Sequence, residues 1–331
     1  MTLAQSQTGT EPAHATRGGG RPDRLAEAVA IRPPIELQPW VAIVANPYSG
    51  SGSNRMVVGK LEAALKRRGL TPRVLWDPLE RAAVLRDPQW AESCRCVVAA
   101  GGDGTVADAI NETRDIPLAI LPMGNENLLA RHFGFSGADQ VAEAVLRGRT
   151  RRIDLGRINN RYFAIMVSAG LDADVVERVA RWRVAEAGLR RVTRLSYVRP
   201  FFGAMFGYKY PPLELTVDGQ TFKGSHVLVF NIAEYACGLK FAPDCRDDDG
   251  LLHYVILGKP GIVALGGYLM SLVLGRHRRC QTVRTGRAKT LKLNCASPSA
   301  VQVDGDPSGR TPVTIEAVPQ ALQVMLPPSH D

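Results

Sequence analysis

The sequence predicts an α/β fold in which a parallel-sheet domain is followed by a β-rich domain. In the first half, short apolar runs alternate with stretches of helical period, a pattern typical of a mostly parallel sheet. In the second half, apolar runs are joined by turns such as Asp218-Gly219, and Asp-Gly between two strands is a strong hairpin signal. The 331 residues, of which 45% are hydrophobic, suffice for two domains of roughly 150 residues each.

The first domain is expected to span residues 39–151. Buried strands are predicted from four apolar runs, at residues 40–45, 74–76, 96–100 and 118–121. After the first run, apolar residues recur at the period of a helix with one buried face: Val57, Leu61, Ala64 and Leu65. In such sheets ligands bind beyond the carboxyl ends of the strands, so the loops after Ala45, Ala100 and Leu121 form the candidate site.

The second domain is expected to span residues 152–328. Strands are predicted at 213–217 and 221–232 around the Asp-Gly turn, and at 301–303 with 311–318 as the return strand. Helical stretches are predicted at about 174–206 and 261–274. Residues 1–38 are rich in glycine, proline and polar residues and are therefore expected to form a disordered leader.

The formal charge of +9 favours partners that carry phosphate. A nucleic acid is not expected, because the aromatic content is only 6% and no recognised DNA- or RNA-binding motif is present. The six cysteines show no paired spacing and are expected to be reduced thiols. No apolar core of a secretory signal is visible, and the longest uncharged run, 261–275, is too short to span a bilayer. A cytoplasmic protein in peripheral contact with membranes is therefore expected.

A basic helical stretch at 175–205 is the candidate membrane contact. It carries seven arginines among apolar residues: Arg178, Arg181, Arg183, Arg190, Arg191, Arg194 and Arg199. Such a helix fits an anionic membrane surface, and the uncharged run that precedes Arg276-His277-Arg278-Arg279 adds to that expectation. The alternative for both segments is an ordinary solvated face over a buried stripe.

Two of the candidate loops have the composition of phosphate-binding loops. The first, 46–53, contains glycines and small hydroxyl residues that let backbone N–H groups approach an anion, although it lacks a Walker A lysine. The second, Gly101-Gly102-Asp103-Gly104-Thr105, follows a strand and opens a helix, so that Asp103 can hold magnesium or orient nucleotide phosphates. The alternatives are an ordinary turn for the first loop and a helix-capping role for Asp103.

The third loop, 121–131, completes a recognisable set. Asn-Pro-x-Ser-Gly, Gly-Gly-Asp-Gly-Thr and Pro-x-Gly-x-x-Asn follow one another in an order and spacing that resemble the diacylglycerol kinase and sphingosine kinase family. Later segments extend the resemblance across nearly all of residues 40–328: Gly170-Leu171-Asp172, the stretch 241–252, and Asp304-Gly305-Asp306.

This resemblance implies a Rossmann-like nucleotide-binding domain followed by a β-sandwich-like domain. It implies a kinase that uses ATP and Mg²⁺ to phosphorylate a lipid hydroxyl, with Asp306 as general base and Asp103 as the second catalytic carboxylate. The nucleotide-binding positions implied are Asn46, Ser49, Gly50, Trp76, Asp77, Gly101, Gly102, Asp103, Gly104, Thr105, Val106, Ala107, Gly124, Asn125 and Asn127. A magnesium site is implied at Asp249 with the carbonyls of Arg246 and Leu251, the alternative being a solvated acidic turn.

Several positions depart from the pattern of the family. Asn125 stands where Thr or Ser is usual, Leu128 stands where a later Asp is often found, Ala107-Asp108 replaces Asn-Glu, and Asp306 replaces Glu. Since Leu128 cannot replace a carboxylate, a catalytically weak nucleotide- or lipid-binding protein of the same fold is the main alternative. A NAD kinase-like enzyme is disfavoured because the match reaches Asp306. The expected partners are a lipid substrate, an anionic membrane surface and a second copy of the chain, and the acceptor stays open among diacylglycerol, sphingoid bases and related lipids.

Overall fold

The computed structural model describes residues 39–46, 54–185, 203, 207–235 and 238–328. The predicted leader at 1–38 lies outside these residues, as does most of the first candidate loop.

The first part of the chain forms the predicted parallel sheet. Four strands lie in the order β2-β1-β3-β4, all parallel: β1 Trp40–Ala45, β2 Thr71–Leu75, β3 Cys94–Gly101 and β4 Leu118–Pro122. Six helices connect or flank them: α1 Asn54–Arg67, α2 Pro78–Arg86, α3 Pro88–Ser93, α4 Asp103–Thr113, α5 Leu128–Phe133 and α6 Ala138–Arg147. Strands β1, β3 and β4 are almost wholly buried because helices cover the sheet, as parallel sheets require, whereas the edge strand β2 is only partly buried.

The second part is mainly antiparallel. Its strands are β5 Thr150–Ile158, β6 Arg161–Phe163, β7 Met166–Ala169, β8 Leu213–Val217, β9 Gln220–Gly224, β10 His226–Phe230, β11 Leu252–Leu257, β12 Val283–Ala288, β13 Thr290–Cys295, β14 Ala300–Val303, β15 Asp306–Arg310 and β16 Val313–Met325. Helices α7 Leu171–Ala185 and α8 Ile262–Val273 lie in this part, and a 3-10 turn, His277–Arg279, follows α8.

These strands form two packed layers. One sheet continues the parallel strands in the order β4-β16-β13-β8-β9, with β5 beside β16, while a separate antiparallel sheet has the order β12-β11-β10-β7-β14-β15. Apolar side chains from both layers form one core: Leu215, Leu291 and Ile315 from the first sheet, and Val229, Ile256 and Val301 from the second. The expected β-sandwich-like architecture is therefore confirmed.

The long strand β16 joins the two parts. Its later half pairs in parallel with β4 through Val324 and Leu118, whereas its earlier half pairs antiparallel with β13. A register shift between Val318 and Leu322 separates these halves. The end of the chain therefore returns to the sheet that carries the candidate phosphate loops.

One predicted strand is two strands. Residues 221–232 were expected to be continuous, but β9 and β10 belong to different sheets. The break lies at Ser225, whose N–H donates to the carbonyl of Leu257 (2.8 Å) and whose hydroxyl donates to that of Lys259 (2.8 Å). A Cβ atom on Gly224 would lie 2.4 Å from the Ile256 side chain, so the chain passes between the layers at a glycine.

The predicted return strand at 311–318 was also wrong. β14 pairs with β15, in which Val303 faces Asp306, whereas residues from Val313 onward belong to the other sheet. Asp304 and Gly305 have φ values of 49° and 87°, which fit the two-residue hairpin turn that needs positive φ at both positions. Asp306 is consequently the first residue of β15 and not part of a longer turn.

The basic stretch at 175–205 is described only in part. Arg178 pairs with Asp174 (2.6 Å) and Arg181 with Glu177 (3.2 Å), both within α7. The side chain of Arg183, and the whole of Arg190, Arg191, Arg194 and Arg199, lie outside the described residues. None of the helices that the structure describes is long and apolar enough to cross a bilayer.

Candidate active site

The first candidate loop begins beside the second. The backbone N–H of Asn46, after β1, donates to the carbonyl of Ala100 near the end of β3 (3.4 Å). Asn54, the first residue of α1, donates from its side-chain amide to the carbonyl of Asn46 (3.2 Å). Residues 47–53 lie outside the described residues, so Ser49 and Gly50 are not located. Both ends of this loop nevertheless meet at the carboxyl edge of the sheet.

The second and third loops touch each other through glycines. The N–H of Met123 donates to the carbonyl of Gly101 (2.8 Å). A Cβ atom on Gly124 would lie 2.5 Å from the Cα of Gly102, closer than non-bonded carbon atoms approach. A Cβ on Gly101 would meet the hydroxyl of Thr105 at 2.2 Å. The Gly-Gly pair is therefore required by packing against α4 and against the third loop.

The helix that follows the Gly-Gly pair, α4, buries some residues of its first turns and exposes another. Thr105, Val106 and Ala107 are buried, so only their backbone groups can contact a ligand in the loop. Gly104 is exposed and meets nothing within 4 Å of an added Cβ atom. The N-terminus of α4 thus presents N–H groups beside an open surface, an arrangement that favours an anion.

Asp103 faces a neighbouring helix instead of capping its own. The N-cap of α4 is Gly102, and no side chain caps this helix. Burial raises the pKa of the Asp103 carboxyl, and the backbone N–H groups of Leu129, Leu128 and Asn127 in the first turn of α5 oppose that rise. Its Oδ1 atom is buried without a hydrogen-bond partner among the described residues. This carboxylate therefore has one oxygen still able to take a ligand.

The third loop is held in shape by Asn127. Its side-chain oxygen accepts from the N–H of Gly124 (2.8 Å) and its amide donates to the carbonyl of Gly124 (2.9 Å), with a φ of 49° at Asn127 itself. Asn125 is exposed at the tip. Leu128 packs against the hydrophobic core, so an apolar contact stands where the family resemblance implies a carboxylate.

Trp76 and Asp77 lie after β2. The Asp77 carboxylate caps α2, accepting from the N–H groups of Leu79 and Glu80 at 2.9 Å each. Trp76 is half-buried, and the guanidinium of Arg55 lies 5.7 Å from the centre of its ring. Asp77 therefore has a structural task in this structure, and Trp76 offers an aromatic face at the same edge of the sheet.

Asp304 is a buried carboxylate for which no role was predicted. It accepts hydrogen bonds from the N–H groups of Ala164 (3.0 Å), Ile165 (3.0 Å) and Met166 (2.8 Å). Burial raises the pKa of Asp304 to about 6. The three hydrogen bonds oppose this rise, and the charge of Asp103 adds to it. Asp304 and Asp103 are thus close enough to interact, which brings the β14–β15 turn to α4. The Asp-Gly-Asp motif was a signal for this residue.

Asp306 lies next to that turn on the same side as α4. Its Oδ2 atom accepts from Arg161 of β6 (3.0 Å), and 43% of its side chain is exposed. Burial raises the pKa of Asp108 on α4, and the charges of Glu112 and Asp306 add to that rise. The structure therefore brings Asp103, Asp108, Asp304 and Asp306 together from elements far apart in sequence.

The acidic segment 246–251 lies at the other end of α5. Oδ1 of Asp249 accepts from the N–H of Leu251 (3.0 Å), while Oδ2 is buried without a hydrogen-bond partner among the described residues. His253 Nε2 and Arg287 Nη1 lie 3.6 Å and 3.8 Å from that oxygen. The side chain of Arg246 instead pairs with Asp248 (2.9 Å). Oδ2 of Asp249 thus accepts no hydrogen bond among the described residues but lies within ion-pair distance of His253 and Arg287. Asp249 and nearby carbonyls are oxygen donors of the kind that magnesium takes, and these two basic side chains would compete with the ion.

An ion-pair cluster fastens this segment to α5. His132, near the end of α5, lies 2.8 Å from Glu234 and 3.0 Å from Asp247, and Arg151 lies 2.6 Å from Asp247. Burial would lower the pKa of His132, but hydrogen bonds to the two carboxylates outweigh it and raise the pKa to about 9. His132 is therefore charged at neutral pH. The short helix α5 thus contacts Asp103 at its start and the acidic segment at its end.

Comparison with known proteins matches the chain to two described families. Residues 40–158 match the family described as "Diacylglycerol kinase catalytic domain", and residues 165–326 match the "YegS C-terminal NAD kinase beta sandwich-like domain". The chain is 30% identical over 304 residues to the diacylglycerol kinase of Mycobacterium tuberculosis (strain CDC 1551 / Oshkosh), covering 87% of this chain and 95% of that protein. It is 24% identical over 300 residues to the diacylglycerol kinase of Staphylococcus aureus (strain bovine RF122 / ET3-1), covering 86% and 91%.

Solved structures share the fold. A structure from Bacillus anthracis str. Sterne superposes with a TM-score of 0.70 at 20% identity, covering 89% of this chain and 97% of that chain. Another from the same organism, described as a diacylglycerol kinase, gives a TM-score of 0.63 at 17% identity, covering 88% and 98%. With two matched family domains and a relative 30% identical over most of both chains, the chain belongs to the diacylglycerol kinase family.

Proposed function

We propose that the protein transfers the γ-phosphate of ATP to the hydroxyl of a lipid such as diacylglycerol or a sphingoid base. The observation that carries this proposal is the meeting of Asp103, beside the Gly-Gly loop, with the Asp304-Gly305 turn that leads into Asp306. A phosphate-binding helix start and a carboxylate from the second part of the chain are the two components that transfer to an alcohol needs. We assign residues 39–151 to nucleotide binding and 152–328 to the lipid.

Nucleotide phosphates would lie over the N-terminus of α4. Exposed Gly104 and the touching glycines 102 and 124 leave the backbone accessible there, since no side chain projects between the loops. Backbone N–H groups at a helix N-terminus favour an anion through hydrogen bonds and through the helix dipole. Asn125, exposed at the tip of the third loop, would complete the cradle, with Asn46 at its other edge. Trp76 offers an aromatic face for the ribose or base.

Asp306 would remove the proton from the attacking lipid hydroxyl. Arg161 bonds to its Oδ2 atom, which holds the carboxylate in one orientation and leaves Oδ1 to accept the proton. The side chain is partly exposed at 43%, so a substrate can reach it. A positioned general base of this kind contributes about 10²–10⁴-fold to the rate. Asp304, fixed by three backbone N–H groups, would set the position of the turn from which Asp306 projects.

Magnesium would be held by Asp249 with the carbonyls of Arg246 and Leu251. The Oδ2 atom of Asp249, which is buried and accepts no hydrogen bond among the described residues, supports this assignment. When bound, the ion would supply positive charge that offsets the negative charge of phosphate oxygens. Helix α5 links this segment to Asp103. His132 near its end pairs with Asp247, and the backbone N–H groups of its first turn face Asp103.

A second candidate function is a catalytically weak nucleotide- or lipid-binding protein. It is favoured by Leu128, which packs against the core at a position where the family resemblance implies a carboxylate, and by the ion pair with Arg161, which occupies one carboxylate oxygen of Asp306. Both candidate functions use the same nucleotide site. They differ in turnover alone, so only an assay of phosphate transfer separates them.

We further propose that the enzyme is cytoplasmic and meets its lipid at an anionic membrane surface, with a homodimer among its states. None of the described cysteines, Cys94, Cys96, Cys245, Cys280 and Cys295, forms a disulfide, which fits the proposed reducing compartment.

The function is tested by incubating purified protein with γ-labelled ATP, Mg²⁺ and a panel of acceptors. The panel contains diacylglycerol, a sphingoid base, phosphatidylglycerol and NAD, each supplied in the same detergent. Label in an organic-soluble product from one of the lipids is the expected result. Label in NAD alone would contradict the lipid assignment, and binding of ATP without transfer to any acceptor would favour the second candidate.

A further inference from the structure

Helix α8 exposes an apolar face with no charged residue. Tyr268 and Leu272 on one side are buried, while the opposite side faces outward. At 100° per residue the outward side is continuous, and Gly266 and Gly267 lie within it. Its large apolar residues, in the helix or directly after it, are exposed by the following fractions: Val263 87%, Leu269 47%, Met270 61%, Val273 67% and Leu274 60%.

The helix is fixed in this orientation by Tyr268 on its buried side and by His277 after its end. The Tyr268 hydroxyl accepts from the N–H of Lys259 (2.9 Å) and donates to the hydroxyl of Thr282 (2.8 Å). After the helix, buried His277 lies 2.9 Å through Nε2 from the carbonyl of Phe241. Turning the apolar face inward would break these contacts. The exposure therefore belongs to the folded state, and an apolar surface of this kind marks a site of interaction.

The charge around α8 is strongly positive. Between Gly250 and Asp304 the sequence contains eight lysines and arginines and no aspartate or glutamate, against a net charge of +9 for the whole chain. Lys259 precedes the helix, and Arg276 and Arg279 follow it. These three side chains are exposed and form no ion pair within the part of the chain that the structure describes. Basic groups at both ends of an apolar face fit an anionic lipid surface.

We propose that α8 is the element that docks the protein on an anionic bilayer. Its outward side would enter the boundary between head groups and acyl chains while Lys259, Arg276 and Arg279 contact lipid phosphates. The helix would lie in the plane of the interface. The docking surface is distinct from the candidate active site, and its purpose rests on the proposed lipid substrate.

The described part of α7 is less suited to this role. Arg178 and Arg181 are held by Asp174 and Glu177, so their charge is compensated locally. The α8 region therefore offers exposed apolar area and basic side chains without ion pairs among the described residues, whereas Arg178 and Arg181 of α7 are paired.

The test is co-sedimentation of the full chain with vesicles of phosphatidylglycerol and phosphatidylcholine. Met270→Glu with Val273→Glu should lower the partition coefficient at least about tenfold, because two apolar side chains lose their transfer into lipid. Arg276→Glu with Arg279→Glu should also lower it at least about tenfold, since each basic group near the surface is worth about fivefold. The matched control is Leu79→Glu, an apolar residue 82% exposed on α2, which should bind like wild type.

Unchanged sedimentation of the Met270/Val273 variant would overturn the proposal. So would a wild-type dimer in solution that this variant converts to monomer, because the face would then be an interface between copies. Phosphate transfer to a short-chain acceptor dissolved as monomers should be unchanged in all these variants. If wild-type protein binds vesicles through α8 yet phosphorylates no acceptor, the docking proposal stands and the proposed function fails.

Discussion

A Cβ atom on Gly124 would lie 2.5 Å from the Cα of Gly102, so the loops after β3 and β4 touch through two residues without side chains. The N–H of Met123, which donates to the carbonyl of Gly101, lies at the same contact. Two strand ends are thereby joined into one surface. Neither glycine has a positive φ. Glycine is therefore needed at both positions because the two backbones lie so close together, and not because of an unusual backbone conformation.

Gly124→Ala should separate the two loops. The added methyl meets backbone, which cannot move as a flexible side chain does, so we expect the free energy of unfolding to fall by about 1–3 kcal/mol and affinity for ATP to fall with it. Gly59→Ala is the matched control, because an added Cβ atom there meets nothing within 4 Å in the middle of α1. It should be neutral or stabilise by about 0.5–1 kcal/mol. Urea unfolding and ATP titration measure both effects, and equal behaviour of the two variants would refute the contact.

Asp304 should make stability fall as pH rises from about 4 to 6. Burial raises its folded pKa to about 6 from an ordinary value of 3.8. Its contribution is therefore fully present below the unfolded value and is lost as the pH rises through the folded one, with about 3 kcal/mol as an upper bound. Asp304→Asn cannot titrate. The difference in unfolding free energy, wild type minus variant, should decrease across pH 4–6, and a constant difference would contradict the assignment.

His132 should make stability fall as pH rises into the alkaline range. Its pKa is raised from 6.5 to about 9 because hydrogen bonds to Asp247 and Glu234 outweigh burial. The stability that it contributes is present in full below about pH 6.5 and is lost as pH rises through about 9, amounting to about 1–3 kcal/mol. His132→Gln should remove this dependence. Thermal unfolding of both proteins between pH 7 and 10 checks it, and parallel curves would show that the imidazole is not charged.

Much of the fold followed from local patterns. Strands β1, β3 and β4 are found where apolar runs predict them, because a strand buried on both faces is largely apolar. Strand β2 begins at Thr71, before the predicted run at 74–76, because the start of this partly buried edge strand is not apolar. The break at Ser225 was missed because residues on either side are both suited to strands, and only the packing of Gly224 on Ile256 decides where the chain changes sheet. The partner of β14 was missed for a similar reason: β15 contains Pro307, Ser308 and Gly309, which carry no strand pattern.

The sequence motifs indicated which segments belong to the candidate site, but not which of their residues contact one another. The motif from Gly101 to Thr105 indicated the candidate phosphate loop, and Asp-Gly-Asp indicated the second acidic group. That Asp103 faces the first turn of α5 depends on how two helices pack, which no local pattern encodes. The pairing of Asp306 with Arg161, separated by 145 positions, is of the same kind. Asn127 was interpreted as a nucleotide contact, whereas both ends of its amide are bonded to Gly124 in this structure.

Asp306→Asn should lower kcat by about 10²–10⁴-fold with little change in ATP affinity, the loss expected of a positioned base. Asp306→Glu, which restores the residue usual in the family, should keep much of the activity. Arg161→Gln is the informative partner variant, since the ion pair orients the same carboxylate; it should lower kcat less than Asp306→Asn does. A normal kcat in Asp306→Asn would transfer the role of base to Asp103.

The central claim is that the Gly-Gly-Asp loop and the second part of the chain form one phosphate-transfer site around Asp103. The most direct test is the initial rate of label transfer from ATP to diacylglycerol in mixed micelles, at saturating Mg²⁺, for wild type and Asp103→Asn. We expect transfer by wild type and a loss of at least about 10²-fold in the variant, with an unfolding free energy near that of wild type because Asn fills the same space. A wild-type rate in Asp103→Asn would contradict the account and remove Asp103 from the site.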